Sequence, residues 1–227
     1  MAYVFIQTLL PASKYPIKAP YSMTPQYITV HNTANDASAG NEIKYMITNN
    51  NQVSYHVAVD NKEVIQAIPF NRNAWHCGDG QGNGNRKSIG IEICYSKSGG
   101  ARYAAAEENA VQYIAKLLKE FGWGIERVKK HQDWNGKYCP HRILSESRWN
   151  RFLKRIEEAI KPKNMVQQKE ETKVTNTLTS TAKEDLKGLL KATYQKGILK
   201  VDHSERVGSM TDGEALGLLI SVVKRTL

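Results

Sequence analysis

The sequence predicts an α/β domain with a central sheet, followed by a small helical module. Strand-type and helical patterns alternate over residues 1–162, which is typical of helices packed on a sheet. Residues 163–180 have few apolar positions, as linkers do. Two further amphipathic patterns fill residues 181–227. We therefore predict a first domain over residues 1–162, a linker over residues 163–180 and a helical module over residues 181–227.

The elements of the first domain follow an extended lead-in that is punctuated by prolines. Runs rich in β-branched residues predict strands over residues 27–30, 53–59, 63–68 and 88–95. The second and third of these strands are expected to form a hairpin across Asp60-Asn61. Apolar residues at helical spacing predict helices around residues 43–47, 104–121 and 149–160. In the second strand one face is predicted to carry Val53, Tyr55, Val57 and Val59.

A long loop is predicted over residues 71–87, which contain Trp75, His76 and Cys77 together with several glycines. The glycine spacing differs from the dinucleotide-binding pattern and leads into a strand, which argues against a phosphate-binding loop. Long loops in compact domains are usually functional. We expect this one to line a substrate groove.

The helical module is predicted to contain two helices. Leu186, Leu189 and Leu190 mark the first, which should end near Gly197, and Thr211-Asp-Gly-Glu214 is a capping box that opens the second. Two helices of this length bury little surface, so the module is expected to be marginally stable by itself. Self-association or contact with the first domain would supply the missing burial.

Composition limits the classes of function. The net charge is +10, from 32 basic and 22 acidic residues, but no arginine-rich stripe interleaves with aromatics, so nucleic-acid binding is a minor alternative. The electrostatic field of this excess positive charge would attract an anionic polymer such as a cell-wall teichoic acid. The low and odd count of three cysteines argues against a disulfide framework. No signal peptide or membrane-spanning run is visible, so we expect synthesis in the cytoplasm, no membrane insertion and release by another agent.

Residues 131–142 concentrate metal-binding side chains in a turn-rich segment. His131 and Cys139 are ligand types that Zn²⁺ prefers, and the nearby Lys137 supplies a cation. A third ligand is available at His31, where a predicted strand ends. A single histidine or cysteine is more often a packing residue. The cluster nevertheless favours a metal site.

Glu92 is an unusual carboxylate within a β-branched strand. It faces either a solvated surface or a polar cleft, and the adjacent Gly90 favours the cleft because it permits close approach. Beside a zinc ion with an open position, Glu92 would act as general base and Lys137 would stabilise charge on a carbonyl oxygen. Such a site suits hydrolysis of an amide or an ester. The residues alone do not select the substrate.

Four separated motifs carry a family resemblance: Ile28-Thr-Val-His-Asn-Thr33, Val53-Ser-Tyr-His-Val-Ala-Val59, Ser88-Ile-Gly-Ile-Glu92 and Gly136-Lys-Tyr-Cys-Pro140. Residues 20–160 resemble the type 2 N-acetylmuramoyl-L-alanine amidases, which include bacteriophage T7 lysozyme and the peptidoglycan recognition proteins, and especially endolysins of Bacillus phages and prophages. The resemblance implies a central mixed β-sheet flanked by helices, with zinc in a surface groove. It implies cleavage of the amide between the lactyl group of N-acetylmuramic acid and L-alanine of peptidoglycan.

The resemblance also implies roles for individual residues. The zinc ligands would be His31, His131 and Cys139. Glu92 would be the acid/base residue, Lys137 the oxyanion stabiliser, and Tyr55 would assist near the metal, with the division of work between Tyr55 and Glu92 open. Groove positions that would contact substrate are Trp75, His76 and His141, although each histidine has the alternative of a supporting or surface role.

The implied biological setting is lysis of a Gram-positive host by a phage or prophage endolysin that a holin releases, rather than a secreted autolysin. The position of the helical module after a linker resembles that of cell-wall-binding modules, and the module faintly resembles one S-layer-homology unit. Wall targeting and a purely structural appendage both stay open. For the first domain, a binding-only module is the alternative, because some recognition proteins lack the full zinc site. The presence of Cys139 argues against it.

Overall fold

The computed structural model describes residues 3–161 and 179–226. The chain divides into two compact units, Met1–Pro162 and Lys163–Leu227, and each is described by itself. The predicted linker lies outside the described residues except at its end, where Thr179 caps a helix that begins at Ser180.

The first unit is built on a six-stranded sheet with the order β1-β4-β3-β5-β2-β6. Its strands are β1 (Val4–Gln7), β2 (Tyr27–Asn32), β3 (Val57–Val59), β4 (Glu63–Gln66), β5 (Ser88–Ile93) and β6 (Val128–Lys130). β3 and β4 form the antiparallel hairpin that the sequence predicts, and the other neighbouring pairs are parallel. The predicted mixed sheet is therefore confirmed.

Helices surround this sheet, as predicted. They are α1 (Tyr15–Lys18), α2 (Ala39–Thr48), α3 (Asn83–Lys87), α4 (Gly100–Phe121), α5 (Gln132–Asn135), α6 (His141–Ser145) and α7 (Trp149–Ile160). The long helix α4 packs on β3, β4 and β5 and against α7. Its buried stripe includes Val111, Ile114, Leu117 and Leu118, so apolar periodicity predicted the core face of this helix.

The predicted segments 53–59 and 71–87 differ from the structure. The regular strand over residues 53–59 is only Val57–Val59, because the Tyr55 N–H donates to Met46 Sδ (3.3 Å) rather than to a neighbouring strand. Val53 is exposed and does not share the buried face of Val57 and Val59. The predicted loop over residues 71–87 contains α3, where Asp79 carboxylate oxygens accept from the first backbone N–H groups.

The two faces of β5 differ in chemistry. Ile89, Ile91 and Ile93 are fully buried in the core, while Gly90 and Glu92 lie on the other face. In register, His31 of β2 is the partner of Glu92. Residues paired in this way project from the same face of a sheet. The face opposite the isoleucines therefore carries the predicted site.

The second unit contains α8 (Ser180–Gln195) and α9 (Asp212–Thr226), which confirms the two predicted helices. The capping box is also confirmed: Glu214 N–H donates to Thr211 Oγ1 (3.3 Å), and Thr211 N–H donates to Glu214 Oε2 (2.9 Å). A small apolar core joins the helices and includes Leu186, Leu190, Leu199, Val207, Ala215 and Val222.

A buried ion-pair network connects α7 to α4. Glu107 is 3% exposed, and its two carboxylate oxygens accept from Arg148 Nη1 at 2.8 and 3.0 Å, while Arg155 also donates to it. Burial raises the pKa of Glu107, but the hydrogen bonds and charges of the two arginines outweigh burial and lower it. The network therefore stabilises the fold when Glu107 is ionised.

We expect Glu107→Gln to lower the free energy of unfolding by about 2–4 kcal/mol at pH 7, because it leaves two arginines without their buried counter-charge. Because the folded pKa is depressed, the stabilisation is present above the unfolded value of 4.5 and is lost as pH falls through the folded value. Urea unfolding at pH 7 and pH 3.5 measures this difference. The control Glu108→Gln removes an exposed partner of Arg155 and should cost less than about 1 kcal/mol. Equal losses for both variants would contradict the account.

Candidate metal centre and active site

Three neighbouring parallel strands bring the site residues to one edge of the sheet. His31 lies near the end of β2, Glu92 lies near the end of β5, and His131 directly follows β6. Because the carboxyl ends of parallel strands meet at one edge, the three side chains converge there.

Cys139 reaches this edge through the loop that follows β6. The indole N–H of Trp134 in α5 donates to Thr29 Oγ1 (2.9 Å), which fixes α5 against β2. Gly136 then adopts a left-handed conformation (φ 82°) that ends α5 and turns the chain back. The Gln132 N–H donates to the Cys139 carbonyl (3.1 Å), so the loop closes with Cys139 beside the strand ends.

The three predicted metal ligands lie together. His31 Nδ1 is 3.1 Å from His131 Nδ1 and 3.8 Å from Cys139 Sγ. All three side chains are buried, with exposed fractions of 2%, 4% and 5% for His31, His131 and Cys139. A tetrahedral zinc site requires roughly 3.4 Å between two nitrogens and roughly 3.6 Å between nitrogen and sulfur. The observed separations fit a zinc ion with small adjustments.

Hydrogen bonding indicates which nitrogens carry protons. His131 Nε2 lies 3.0 Å from the Cys77 carbonyl and must donate to it, which leaves a lone pair on His131 Nδ1. His31 Nε2 lies 2.9 Å from His76 Nδ1, and donation from His31 leaves its own Nδ1 with a lone pair. Two lone pairs then face each other at 3.1 Å, which is repulsive unless a cation lies beside both. This unsatisfied pair is the strongest structural argument for a bound metal.

A shared proton is a poor alternative to a metal. Burial, then the nearby His76, His131 and Lys137, hold the pKa of His31 well below its usual value of 6.5. Burial, and secondly Lys137, also lower the pKa of His131. Both imidazoles are therefore neutral near pH 7, the form that binds metal.

A second group of possible ligands, His31, His76 and Cys77, also lies within 4.8 Å. Its atoms can pair without a metal, because the single lone pair of His76 Nδ1 can accept from His31 Nε2–H at 2.9 Å. The Cys77 sulfur lies 3.0 Å from the same nitrogen. Burial raises the pKa of Cys77, which keeps the thiol protonated. The donor set therefore favours His31, His131 and Cys139.

Glu92 lies in the cleft that the sequence analysis favoured. The side chain is half-buried, and its Oε2 atom is inaccessible and has no hydrogen-bond partner among the described residues. Burial, then the charge of Glu42, raises the pKa of Glu92 to about 8, against a lowering effect of Lys137. A carboxyl group that titrates near neutral pH is suited to moving protons in catalysis.

Tyr55 and Glu42 line the same cavity as Glu92, with a volume of about 550 Å³. The Tyr55 hydroxyl donates to Glu42 Oε2 (3.2 Å), and Glu42 also accepts from the Asn35 side chain. Sequence reasoning missed Glu42, because an acidic residue in the first turn of a helix ordinarily needs no explanation beyond the helix dipole. Only the fold places it beside Glu92.

Lys137 lies on the exposed side of the metal ligands. It lines an adjoining cavity of about 490 Å³, together with His131 and Trp75. Its charge lowers the pKa of Glu92, of His31 and of Cys139. Burial is the largest influence on Cys139 and raises its thiol pKa to about 12, so a cation is needed to hold the thiolate.

The three predicted groove residues occupy different surroundings. Trp75 lines the cavity beside Lys137, and its buried indole N–H has no partner among the described residues. His76 borders the same cavity but is only 7% exposed and contacts His31. His141 begins α6 and lies 3.3 Å from the Ser96 carbonyl. Contact of these residues with substrate stays a prediction.

Comparisons with known proteins agree with this site. The family model for N-acetylmuramoyl-L-alanine amidase (Amidase_2) matches residues 21–142. The N-acetylmuramoyl-L-alanine amidase CwlA of Bacillus subtilis (strain 168) is 64% identical over 162 residues, 71% of this chain and 60% of that protein. XlyB of the same organism, also named as such an amidase, is 63% identical over 155 residues, 68% of this chain and 49% of that protein. The chain thus spans between about half and three fifths of these relatives.

Solved structures are similar over the first unit. The structure of PlyL is 59% identical with a TM-score of 0.66, over 67% of this chain and 96% of that one. The solution structure of the PlyG catalytic domain is 55% identical with a TM-score of 0.67, over 71% of this chain and 98% of that one. The buried His31, His131 and Cys139 beside the Glu92 carboxyl group are a donor set that could hold a metal ion in a hydrolase. The chain belongs to the N-acetylmuramoyl-L-alanine amidase family, as the four sequence motifs predicted.

Proposed function

We propose that this protein is a zinc-dependent N-acetylmuramoyl-L-alanine amidase. It hydrolyses the amide between the lactyl group of N-acetylmuramic acid and the L-alanine of the peptidoglycan stem peptide. The single observation that carries the proposal is the pair of facing imidazole nitrogens with a thiol beside them, near Glu92, whose Oε2 atom has no hydrogen-bond partner among the described residues. The names of the relatives CwlA and XlyB support this choice of bond.

His31, His131 and Cys139 would hold the zinc ion, which when bound polarises a carbonyl and acidifies water. Glu92 takes a proton from the attacking water and delivers it to the leaving nitrogen of L-alanine. The Lys137 ammonium stabilises negative charge that develops on the carbonyl oxygen. Tyr55, whose hydroxyl donates to Glu42, keeps the wall of the cavity next to Glu92 in place.

The extent and lining of the cleft are suited to a polymeric substrate. The two cavities share Val53 in their linings and therefore adjoin each other. Amide side chains line both, including Asn41 and Asn49 in one and Gln81 and Asn135 in the other. These groups offer hydrogen bonds to a sugar or to a peptide, and Trp75 offers an apolar face. We propose that Trp75, His76 and His141 border the path of the substrate.

The test is product analysis on purified Bacillus peptidoglycan. An amidase releases new L-alanine amino termini, whereas a glycosidase releases reducing sugar ends. We expect amino termini alone, abolished by a chelator. Wall binding without any product would instead support the binding-only alternative. Chelator-insensitive binding to DNA that weakens steeply with salt would support the nucleic-acid alternative.

The pH profile should respond to Glu42. The Glu42 charge raises the pKa of Glu92, so Glu42→Gln should lower this pKa. The acid limb of the kcat/KM profile should then move to lower pH by about 0.5–1 unit. The profile of Tyr55→Phe is the control, since it removes the hydrogen bond to Glu42 but keeps the charge. A shift of the Tyr55→Phe limb equal to that of Glu42→Gln would contradict the electrostatic explanation.

The second unit is proposed to bind the cell wall. Its helix α9 exposes Leu216, Ile220 and Val223 along one stripe, a surface suited to a wall polymer or to a second copy of the chain. The net charge of the whole chain, +10, favours an anionic secondary polymer as the partner. Co-sedimentation of the full chain with walls, before and after removal of teichoic acid, tests the partner. Sedimentation equilibrium tests self-association.

The biological setting is proposed to be lysis of a Gram-positive host after holin-type release. The Endolysin LysK of Staphylococcus phage K is 33% identical over 53% of this chain and 26% of that protein. No helix within residues 3–161 and 179–226 is long and apolar enough to cross a membrane. Expression inside Bacillus, with lysis only after the membrane is permeabilised, would support this setting over that of a secreted autolysin.

A further inference from the structure

The imidazole of His76 lies directly behind the metal ligand His31. His31 Nε2 is 2.9 Å from His76 Nδ1, and the two rings meet edge to face with centroids 5.0 Å apart. On its far side, His76 Nε2 lies 3.4 Å from the Ser88 carbonyl at the start of β5. The carbonyl oxygen can only accept, so this contact favours a proton on His76 Nε2 and a lone pair on His76 Nδ1.

We propose that His76 is a positioning residue that fixes the tautomer of His31. A lone pair on His76 Nδ1 requires His31 to carry its proton on Nε2, and His31 Nδ1 is then unprotonated where it faces His131 and Cys139. In the opposite tautomer, the His76 Nδ1–H group would face the Nε2–H group of His31, which is repulsive. If the His31 proton moved to Nδ1 instead, that nitrogen could not bind the metal. The inference rests on the proposed zinc site and gives His76 a role distinct from contact with substrate.

The surroundings of His76 are shaped for this ring. A Cβ atom added at Gly90 would lie 2.8 Å from three atoms of the imidazole, so only glycine leaves room for it. The buried Asn85 side chain accepts from the backbone N–H groups of His76 (2.9 Å) and Cys77 (2.8 Å), which holds the segment in place. The Cys77 Sγ atom lies 3.0 Å from His76 Nδ1 and borders the same side of the ring.

A neutral acceptor behind His31 has a chemical consequence. Metal-binding histidines commonly donate to a carboxylate, which adds negative charge and makes the ligand more basic. Here the partner is an uncharged imidazole, because a ring with its proton on Nε2 and a lone pair on Nδ1 is neutral. Cys139 is then the one anionic member of the ligand set His31, His131 and Cys139, which leaves the metal with a net positive charge to act on the substrate carbonyl.

The test compares two substitutions at one position in the full chain. His76→Asn keeps an acceptor oxygen close to the position of Nδ1, whereas His76→Phe keeps the ring volume and has no acceptor. Zinc affinity of the metal-free protein is measured by competition with a chromogenic chelator. We expect His76→Phe to weaken zinc binding by about 10- to 100-fold and His76→Asn by less than about threefold. Nitrogen NMR of the metal-free wild type should show the Nε2–H tautomer of His31, and His76→Phe should show a mixture.

The control is His56→Phe, another buried histidine of this cluster that packs on His76 with ring centroids 5.8 Å apart and does not contact His31. It should change zinc affinity by less than about threefold. Equal zinc affinities for wild type and His76→Phe, equal losses for His76→Phe and His76→Asn, or a wild-type His31 protonated on Nδ1 would each overturn the proposal. A wild-type chain that binds no zinc would overturn the proposed zinc-dependent function as well. The zinc affinity of the wild type therefore distinguishes failure of the proposed function from failure of the His76 proposal alone.

Discussion

A chain carrying Cys139→Ser is expected to lose its zinc and to lose amidase activity by about 10³-fold or more. Serine stays protonated where a zinc-bound cysteine is a thiolate, so the buried site would lose its anionic ligand. The Cys139 sulfur lies 3.8 Å from His31 Nδ1, and the residue is 5% exposed, so bulk water cannot easily replace this ligand. Elemental analysis for zinc, together with the rate of amino-terminus release, measures both effects on one preparation.

The matched control for Cys139→Ser is Cys77→Ser. Cys77 belongs to the second possible ligand group, but its contact with His131 is made by the backbone carbonyl and survives the substitution. We expect Cys77→Ser to retain one zinc ion and most of its activity. Loss of zinc from Cys77→Ser but not from Cys139→Ser would place the metal in the other group and contradict the assigned site.

The second large effect is expected at Glu92. Glu92→Gln keeps the size of the side chain but cannot move a proton, so kcat should fall by about 10²- to 10⁴-fold while zinc is retained. A metal ligand would show the opposite pattern, with zinc and activity lost together. Activity within tenfold of wild type would remove Glu92 from the proton transfer.

The same substitution should stabilise the metal-free protein at alkaline pH. The folded pKa of Glu92 is raised from 4.5 to about 8, so the folded chain holds a proton that the unfolded chain releases. Stability is therefore lost as pH rises from 4.5 through about 8, and a glutamine escapes this loss. At pH 9 we expect Glu92→Gln to be more stable than wild type by about 1–3 kcal/mol, with no difference at pH 4. Urea unfolding of the metal-free proteins at both pH values decides this.

Sequence patterns predicted the elements that keep one face buried along their whole length. The isoleucines of β5 and the apolar stripe of α4 are buried as expected. Residues 53–56 misled the strand prediction because their alternation is genuine. The N–H groups of Ser54 and Tyr55 nevertheless donate to the Trp75 carbonyl and to Met46 Sδ instead of to a strand. The short strands β1 and β6 were missed because three or four residues carry too little periodicity.

The sequence motifs predicted those residues of the candidate site that lie within them. His31, His131 and Cys139 come together as the sequence and its family resemblance implied. Glu42 and the contact of His76 with His31 were not predictable, since they depend on the packing of α2 against the sheet and of a loop behind β2. Gly90 did indicate close approach of a group, and that group is the His76 ring.

Titration of zinc into the metal-free full chain tests the central claim most directly, with release of L-alanine amino termini as the readout. We predict no activity without metal, a linear rise, and a plateau at one zinc ion per chain, in agreement with one site formed by His31, His131 and Cys139. Full activity of the metal-free chain, or a requirement for a second zinc ion, would contradict the account.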